Sequence, residues 1–132
     1  MPYQPAFSVR RVSGGDISSA GVWTFNYADL NTGNCFNVSN GKFTAPIGGN
    51  YFFSFFYLAQ NGDNHDIYIR RNNVGWGGCD IRCNFGLSGN LTISASTVIP
   101  LSAGDTVDVY VAFISDSVYS QGLNGFSGHL IG

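Results

Sequence analysis

Glutamate is absent from this 132-residue chain, lysine occurs once, at Lys42, and charged residues make up only 11% of the total. Six basic and eight acidic side chains leave a formal net charge of −2. That balance provides no electrostatic footprint for nucleic acid or for an anionic membrane surface. Arg10-Arg11 and Arg70-Arg71 are the basic clusters, and in an extended chain each pair splits across two faces. No run reaches the ~18–20 apolar residues that a membrane helix needs. The opening MPYQPAFSVRR has no apolar core of a secretory signal, so the expectation is a chain made and assembled in a cytoplasm. Cysteine is scarce and odd in number, with Cys35, Cys79 and Cys83, which argues against a closed disulfide framework. On a strand Cys79 and Cys83 would share a face about 13 Å apart, too far to bridge, so reduced thiols are expected. Zinc would need four ligands, and beyond that pair the chain offers Cys35, His65 and His129. No G-x-S-x-G elbow accompanies either histidine, so no catalysis is expected.

What the chain has in quantity is glycine, 18 residues, and aromatics, 15%. Few helix formers and many β-formers make all-β the expected class. The organising stretch is Gly41–Gln60, GKFTAPIGGNYFFSFFYLAQ, with five of the eleven phenylalanines together with Tyr51 and Tyr57. Both parities of Tyr51–Leu58 are apolar apart from Ser54, which predicts a strand covered on both sides. Around it, strands are predicted over Pro5–Val12, Val22–Tyr27, Cys35–Val38, Lys42–Ala45, His65–Arg71, Asn90–Ile99, Thr106–Phe113 and Gly125–Ile131, with Val74–Phe85 less regular. Leu30–Asn34 reads as a loop and Asn40-Gly41 as a hairpin turn. Leu91, Ile93, Ala95, Thr97 and Ile99 should share one face, as should Val107, Val109, Val111 and Phe113. Asp116–Leu123 reads as a surface loop. About ten short strands with turn signals every 8–12 residues fit a β-sandwich or jelly roll in a single domain spanning 1–132, with Met1–Pro5 as an N-terminal arm.

The spacing of Phe25, Asn31, Phe36, Phe43, Gly49, Tyr51, Phe53 and Phe55 resembles the signature of the C1q domain. Leu101-Ser102-Ala103-Gly104-Asp105, Phe126-Ser127-Gly128-His129-Leu130 and the opening Ala6-Phe7-Ser8 are similar to further landmarks of that family, so the resemblance covers essentially the whole chain. It implies an all-β, ten-stranded C1q/TNF-like jelly roll that forms a homotrimer and has no catalysis. Phe25, Phe36, Phe43, Gly49, Tyr51, Phe53, Phe55, Phe126 and Gly128 would be its core positions. The other parity of the aromatic strand, Phe52, Phe56 and Leu58, is where the subunit is expected to meet its copies.

Several C1q relatives bind calcium, and Asp63, Asp66 and Asp105 are the oxygen donors to consider. They lack the spacing of a calcium loop, and ordinary turn carboxylates are the expectation. No Gly-X-Y or heptad stalk precedes Pro5. Together with the missing signal, this points to a phage capsid decoration protein on the virion surface. Its partner would be a major capsid protein, reached through the Met1–Pro5 arm. The alternative is a trimeric recognition head that binds carbohydrate or a protein receptor through the apical loops Gln60–His65, Asn84–Asn90 and Ser115–Asn124.

Overall fold

Alternating burial begins with the first strand, Ala6–Arg10, where Phe7 and Val9 point inward and their neighbours do not. The computed structural model describes residues 4–83 and 89–132. Its eleven strands are β1 (Ala6–Arg10), β2 (Gly21–Val22), β3 (Tyr27–Thr32), β4 (Phe36–Asn37), β5 (Lys42–Thr44), β6 (Gly49–Ala59), β7 (His65–Arg71), β8 (Val74–Cys83), β9 (Leu91–Leu101), β10 (Thr106–Ile114) and β11 (Asn124–Leu130). A first sheet runs β3-β1-β11-β6-β9, and a second runs β4-β5-β10-β7-β8 with β2 also paired to β10. The two sheets make the all-β jelly-roll sandwich that the strand pattern implies.

The strand count differs from ten because residues 21–34 depart from expectation. The predicted Val22–Tyr27 strand pairs only at its two ends, with Val22 joined to Gly21 in β2 against Tyr110 and Val111. Trp23 and Phe25 then turn into the core, and the chain pairs again from Tyr27 along β1. The predicted loop at Leu30–Asn34 is therefore half strand. Asn31 explains the shift: its side-chain amide donates to the Phe36 carbonyl and its oxygen accepts from the Phe36 N–H. This bracket holds β3 and β4 together and moves the turn to Gly33-Asn34, both at positive φ.

The core is an aromatic stack between the sheets. Tyr51, Phe53, Phe55 and Tyr57 of β6 are fully buried, with Phe7, Phe25, Phe36, Phe43 and Phe126 around them. Phe43 bridges the sheets, with ring centroids 5.2 Å from Phe7, 5.3 Å from Tyr51 and 5.4 Å from Phe53. Burying each such side chain contributes roughly 1.5–3 kcal/mol. The packing depends on Gly128, which lies opposite both Phe7 and Phe53 in the ladder. A Cβ there would stand 2.7 Å from each of those rings, so only hydrogen fits. Gly41 answers a different need: at φ +75 it closes the turn into β5, and a Cβ would sit 2.8 Å from the Trp23 carbonyl.

The face expected for Val107, Val109, Val111 and Phe113 is corrected at its end. Val107, Val109 and Val111 are buried, but Phe113 is 54% exposed. The register of β10 against β7 slips between Val111 and Phe113, and this bulge re-aims everything beyond it. Leu91 is exposed because it pairs with Ala59 at the far end of β9, past the aromatic layer. The loop predicted over Asp116–Leu123 is not wholly superficial. Val118 is fully buried and bridges both Ile17 and Ala59.

Candidate functional site

The two outer faces of the sandwich differ in chemistry. On the second sheet the outer face is laced with charge. Asp108 is almost fully buried beneath its partners. It accepts from Lys42 Nζ at 2.7 Å and from both Nε and Nη2 of Arg70 at 2.9 and 2.8 Å. A bidentate guanidinium plus an ammonium is enough to hold a carboxylate out of water. Arg70 also lies 4.1 Å from the centre of the Tyr110 ring, and Tyr110 leans on Tyr68. Beyond them Arg82 pairs with Asp80 at 2.8 Å and lies 3.8 Å from Asp66.

That corner brings two carboxyl groups together. Burial, then the neighbouring Asp80 carboxyl, pushes the Asp66 carboxyl up from 3.8 to about 6. Burial would raise Asp80 too, but hydrogen bonding from Asp66 and Arg82 outweighs it and holds Asp80 below its ordinary value. The folded chain therefore binds the Asp66 proton more tightly than the unfolded chain does. Its contribution to stability is full below about 3.8 and is lost as pH rises through about 6. Asp66→Asn, which keeps the neutral form at every pH, should flatten that dependence. Denaturant unfolding at the two ends of the window checks it.

The outer face of the first sheet is bare by comparison. Strands β6, β9 and β11 contain no Asp, Glu, Lys or Arg, and His129 is their one histidine. The register sets the outward side chains in rows. Ser8, Ser127, Ser54 and Ser96 stand side by side across four strands. On one flank Ala6, His129, Phe52 and Val98 align, and on the other Gly125, Phe56 and Ser94. Phe52 packs against the His129 ring at 5.6 Å. The Phe56 ring lies across Gly125, where a Cβ would meet it at 2.5 Å. Phe52 and Leu58 are half-buried, whereas Phe56 is 45% and Val98 48% exposed. The charged groups touching this sheet are at its margins: Arg10 clasps Asp29 at 2.7 Å, and Arg71 reaches the Pro100 carbonyl.

A third feature joins loops at one end of the sandwich. Tyr57, His65 and Asp63 are all fully buried. Tyr57 Oη lies 2.7 Å from His65 Nε2, and His65 Nδ1 lies 3.0 Å from Asp63 Oδ2. The other Asp63 oxygen accepts from the Ser115 hydroxyl at 3.1 Å and the Asp116 N–H at 2.9 Å. Around this buried chain, surface amides tie loop to loop. Gln60 donates to Asp16 and Ser117, Asp16 accepts from the Ser120 N–H, and Asn61 exchanges hydrogen bonds with Asn90 and Gly89. Loops 11–20, 60–64 and 115–123 thus form one fixed polar surface, with residues 89–90 joined to it.

The oxygen donors considered for calcium are not gathered. Asp63 spends both oxygens on the buried chain, Asp66 is held with Asp80 and Arg82, and Asp105 closes a different turn. There the Ser102 N–H and the Asn72 amide hold its carboxyl below the ordinary range. Among the described residues no three potential ligands come together. Cys35 is buried and its thiol donates to the Thr32 carbonyl at 3.5 Å; burial pushes its pKa up. The reading of Cys79 and Cys83 concerns side chains outside the described residues. So do the first three residues of the Met1–Pro5 arm and 84–88 of the Asn84–Asn90 loop.

The model of the C1q domain matches residues 6–131. The chain belongs to the C1q domain family. Among solved structures, the fold resembles the globular domain of the zebrafish complement 1qA protein (TM-score 0.79, 22% identity, 98% of each chain covered). It also resembles Eiger TNF from S. frugiperda (TM-score 0.68, 12% identity, covering 98% of this chain and 92% of that one). Murine APRIL at pH 5.0 is similar as well (TM-score 0.65, 11% identity, covering 96% of this chain and 98% of that one). No curated protein sequence matches significantly. The C1q/TNF fold family is non-catalytic. These relatives overturn the expectation of a phage capsid decoration protein, and with it the virion-surface location. The fold is shared with a complement component and TNF-type proteins. A major capsid protein as partner has no support.

Of the residues singled out from sequence, Phe25, Phe36, Phe43, Tyr51, Phe53, Phe55, Phe126 and Gly128 are buried together between the sheets, and Gly49 starts β6. Sequence reasoning missed the buried chain from Tyr57 through His65 to Asp63. A signal for it existed: Asp63 and His65 share the parity of Ile67 and Ile69, which faces inward.

Proposed function

We propose that this C1q domain works as a homotrimeric recognition head outside the cell, binding a carbohydrate or a protein receptor through the loops tied together at one end. The carrying observation is that polar end itself. Asp63 and His65 lock it from beneath, and Gln60, Asn61, Asn90 and Asp16 cross-link it from above. A recognition surface loses less conformational entropy on binding when its loops are already fixed. Trimer formation through Phe52, Phe56 and Leu58 would present three such surfaces together, which raises avidity without any new contact. Family membership supports both the trimer and an extracellular setting.

The test is binding of the purified protein to a glycan array and to intact cells, repeated with Asn61→Ala/Asn90→Ala and Gln60→Ala. The expected result is binding that falls at least about tenfold in these variants as loop order is lost at each of the linked sites, with the sedimentation coefficient unchanged. Binding that survives every loop change would overturn the reading.

A further inference from the structure

We propose that His129 makes self-association through the bare face pH-dependent, so that the assembly loosens as the medium turns acid. The inference rests on the trimer reading above and adds its regulation. Its starting point is composition in place: three adjacent strands, β11, β6 and β9, present a face with no Asp, Glu, Lys or Arg, and one histidine within it.

His129 is not at the margin of that face. In the ladder it lies between Ala6 of β1 and Phe52 of β6, and the next residue in the row is Val98 of β9. Its ring packs on Phe52 at 5.6 Å, and its side chain is exposed in the single chain. Covering Phe52 with another copy therefore covers His129 as well. Among the described residues, the side chains of the neighbouring strands offer no free countercharge. β6 and β9 have none, and on β1 and β3 the acid–base groups are Arg10, Asp29 and Tyr27. Arg10 is already committed to Asp29 at 2.7 Å and stacks over Tyr27. Arg71 reaches this sheet only at the Pro100 carbonyl and is itself a cation. A protonated His129 in the covered face would thus be a desolvated charge without a partner, which burial opposes.

The sign follows from linkage. Protonation is disfavoured in the assembly, so the separated subunit binds the proton more tightly. Assembly is strongest where the imidazole is neutral and weakens as pH falls. A histidine that must shed its proton to be covered costs about tenfold in affinity between roughly pH 7.5 and 5.5. Three copies bring the change in trimer dissociation to about 1,000-fold.

The experiment is sedimentation velocity over a dilution series at about pH 7.5 and 5.5, on the unaltered chain, His129→Gln and Asp66→Asn. Asp66 is included because its carboxyl, pushed up to about 6, titrates in the same window from the opposite sheet. The expected result is a trimer that dissociates on acidification in the unaltered chain and in Asp66→Asn but persists in His129→Gln. Equal dissociation constants at both pH values overturn the inference, as does acid dissociation that survives His129→Gln. A chain that is monomeric at the higher pH overturns the trimer reading instead, and this inference falls with it.

Discussion

Phe56→Asp should yield a folded monomer. Phe56 is 45% exposed and lies on the surface side of β6, across Gly125, so its removal subtracts nothing from the core between the sheets. In a trimer each copy would carry a carboxylate into the covered face, where no Lys or Arg of β6, β9 or β11 could answer it. An uncompensated buried charge costs about 3–5 kcal/mol, and the contact repeats in every subunit. Association should therefore weaken by far more than about 1,000-fold, which is beyond rescue at micromolar concentration. Phe52→Asp adds a second carboxylate two rows away. Sedimentation gives the mass, and near-ultraviolet circular dichroism gives the state of the aromatic core. A double mutant that remains trimeric and folded would place the self-association surface elsewhere.

His65→Ala should be the most damaging single change inside the subunit. It deletes the group between Tyr57 and Asp63, both fully buried, and strands a carboxylate that still faces Ser115 and Asp116. Breaking a buried pair from one side costs about 3–5 kcal/mol, which for a domain of this size lowers Tm by roughly 10–20 °C. Tyr57→Phe removes only the phenol that meets Nε2 and should cost roughly 1–3 kcal/mol. Thermal unfolding of the two variants under one buffer checks the ranking. Equal, small effects would mean that water replaces the imidazole and that the loops do not depend on it.

The aromatic strand was legible because its chemistry is local: an apolar, aromatic run between turn signals marks a strand whatever the partners are, and Tyr51, Phe53, Phe55 and Tyr57 share one parity of it. The same parity rule reaches His65 and Asp63 from Ile67 and Ile69, yet turn-forming neighbours such as Asn61-Gly62 make that pair look like a surface turn. Phe113 could not be placed from alternation, since a bulge between Val111 and Phe113 shifts the period by one residue. The bracket from Asn31 to the backbone of Phe36 is likewise a side-chain event with no periodic signature. The bare face was readable in part. Phe52, Phe56 and Leu58 stand out as apolar on the second parity, but its serine row and the place of His129 exist only once β11 and β9 are laid in register beside β6. Family resemblance carried the fold across these gaps, whereas the capsid reading leaned on what precedes Pro5 and failed.

β11, the last strand in sequence, lies in the middle of the first sheet, between β1 and β6. Ala6 pairs with His129, a contact that spans nearly the whole chain. Such closures are slow to form, because a long loop must be ordered before any pairing rewards it. On a ribosome, β1 and β6 would emerge early with unpaired edges and exposed aromatic faces. β1 could pair with β3 and β6 with β9, but their other edges would stay open until residues 124–130 had been made. Phe126, and the hydrogen of Gly128 between Phe7 and Phe53, would then close the core in one late step. Until then the chain would depend on chaperones to keep its open edges apart.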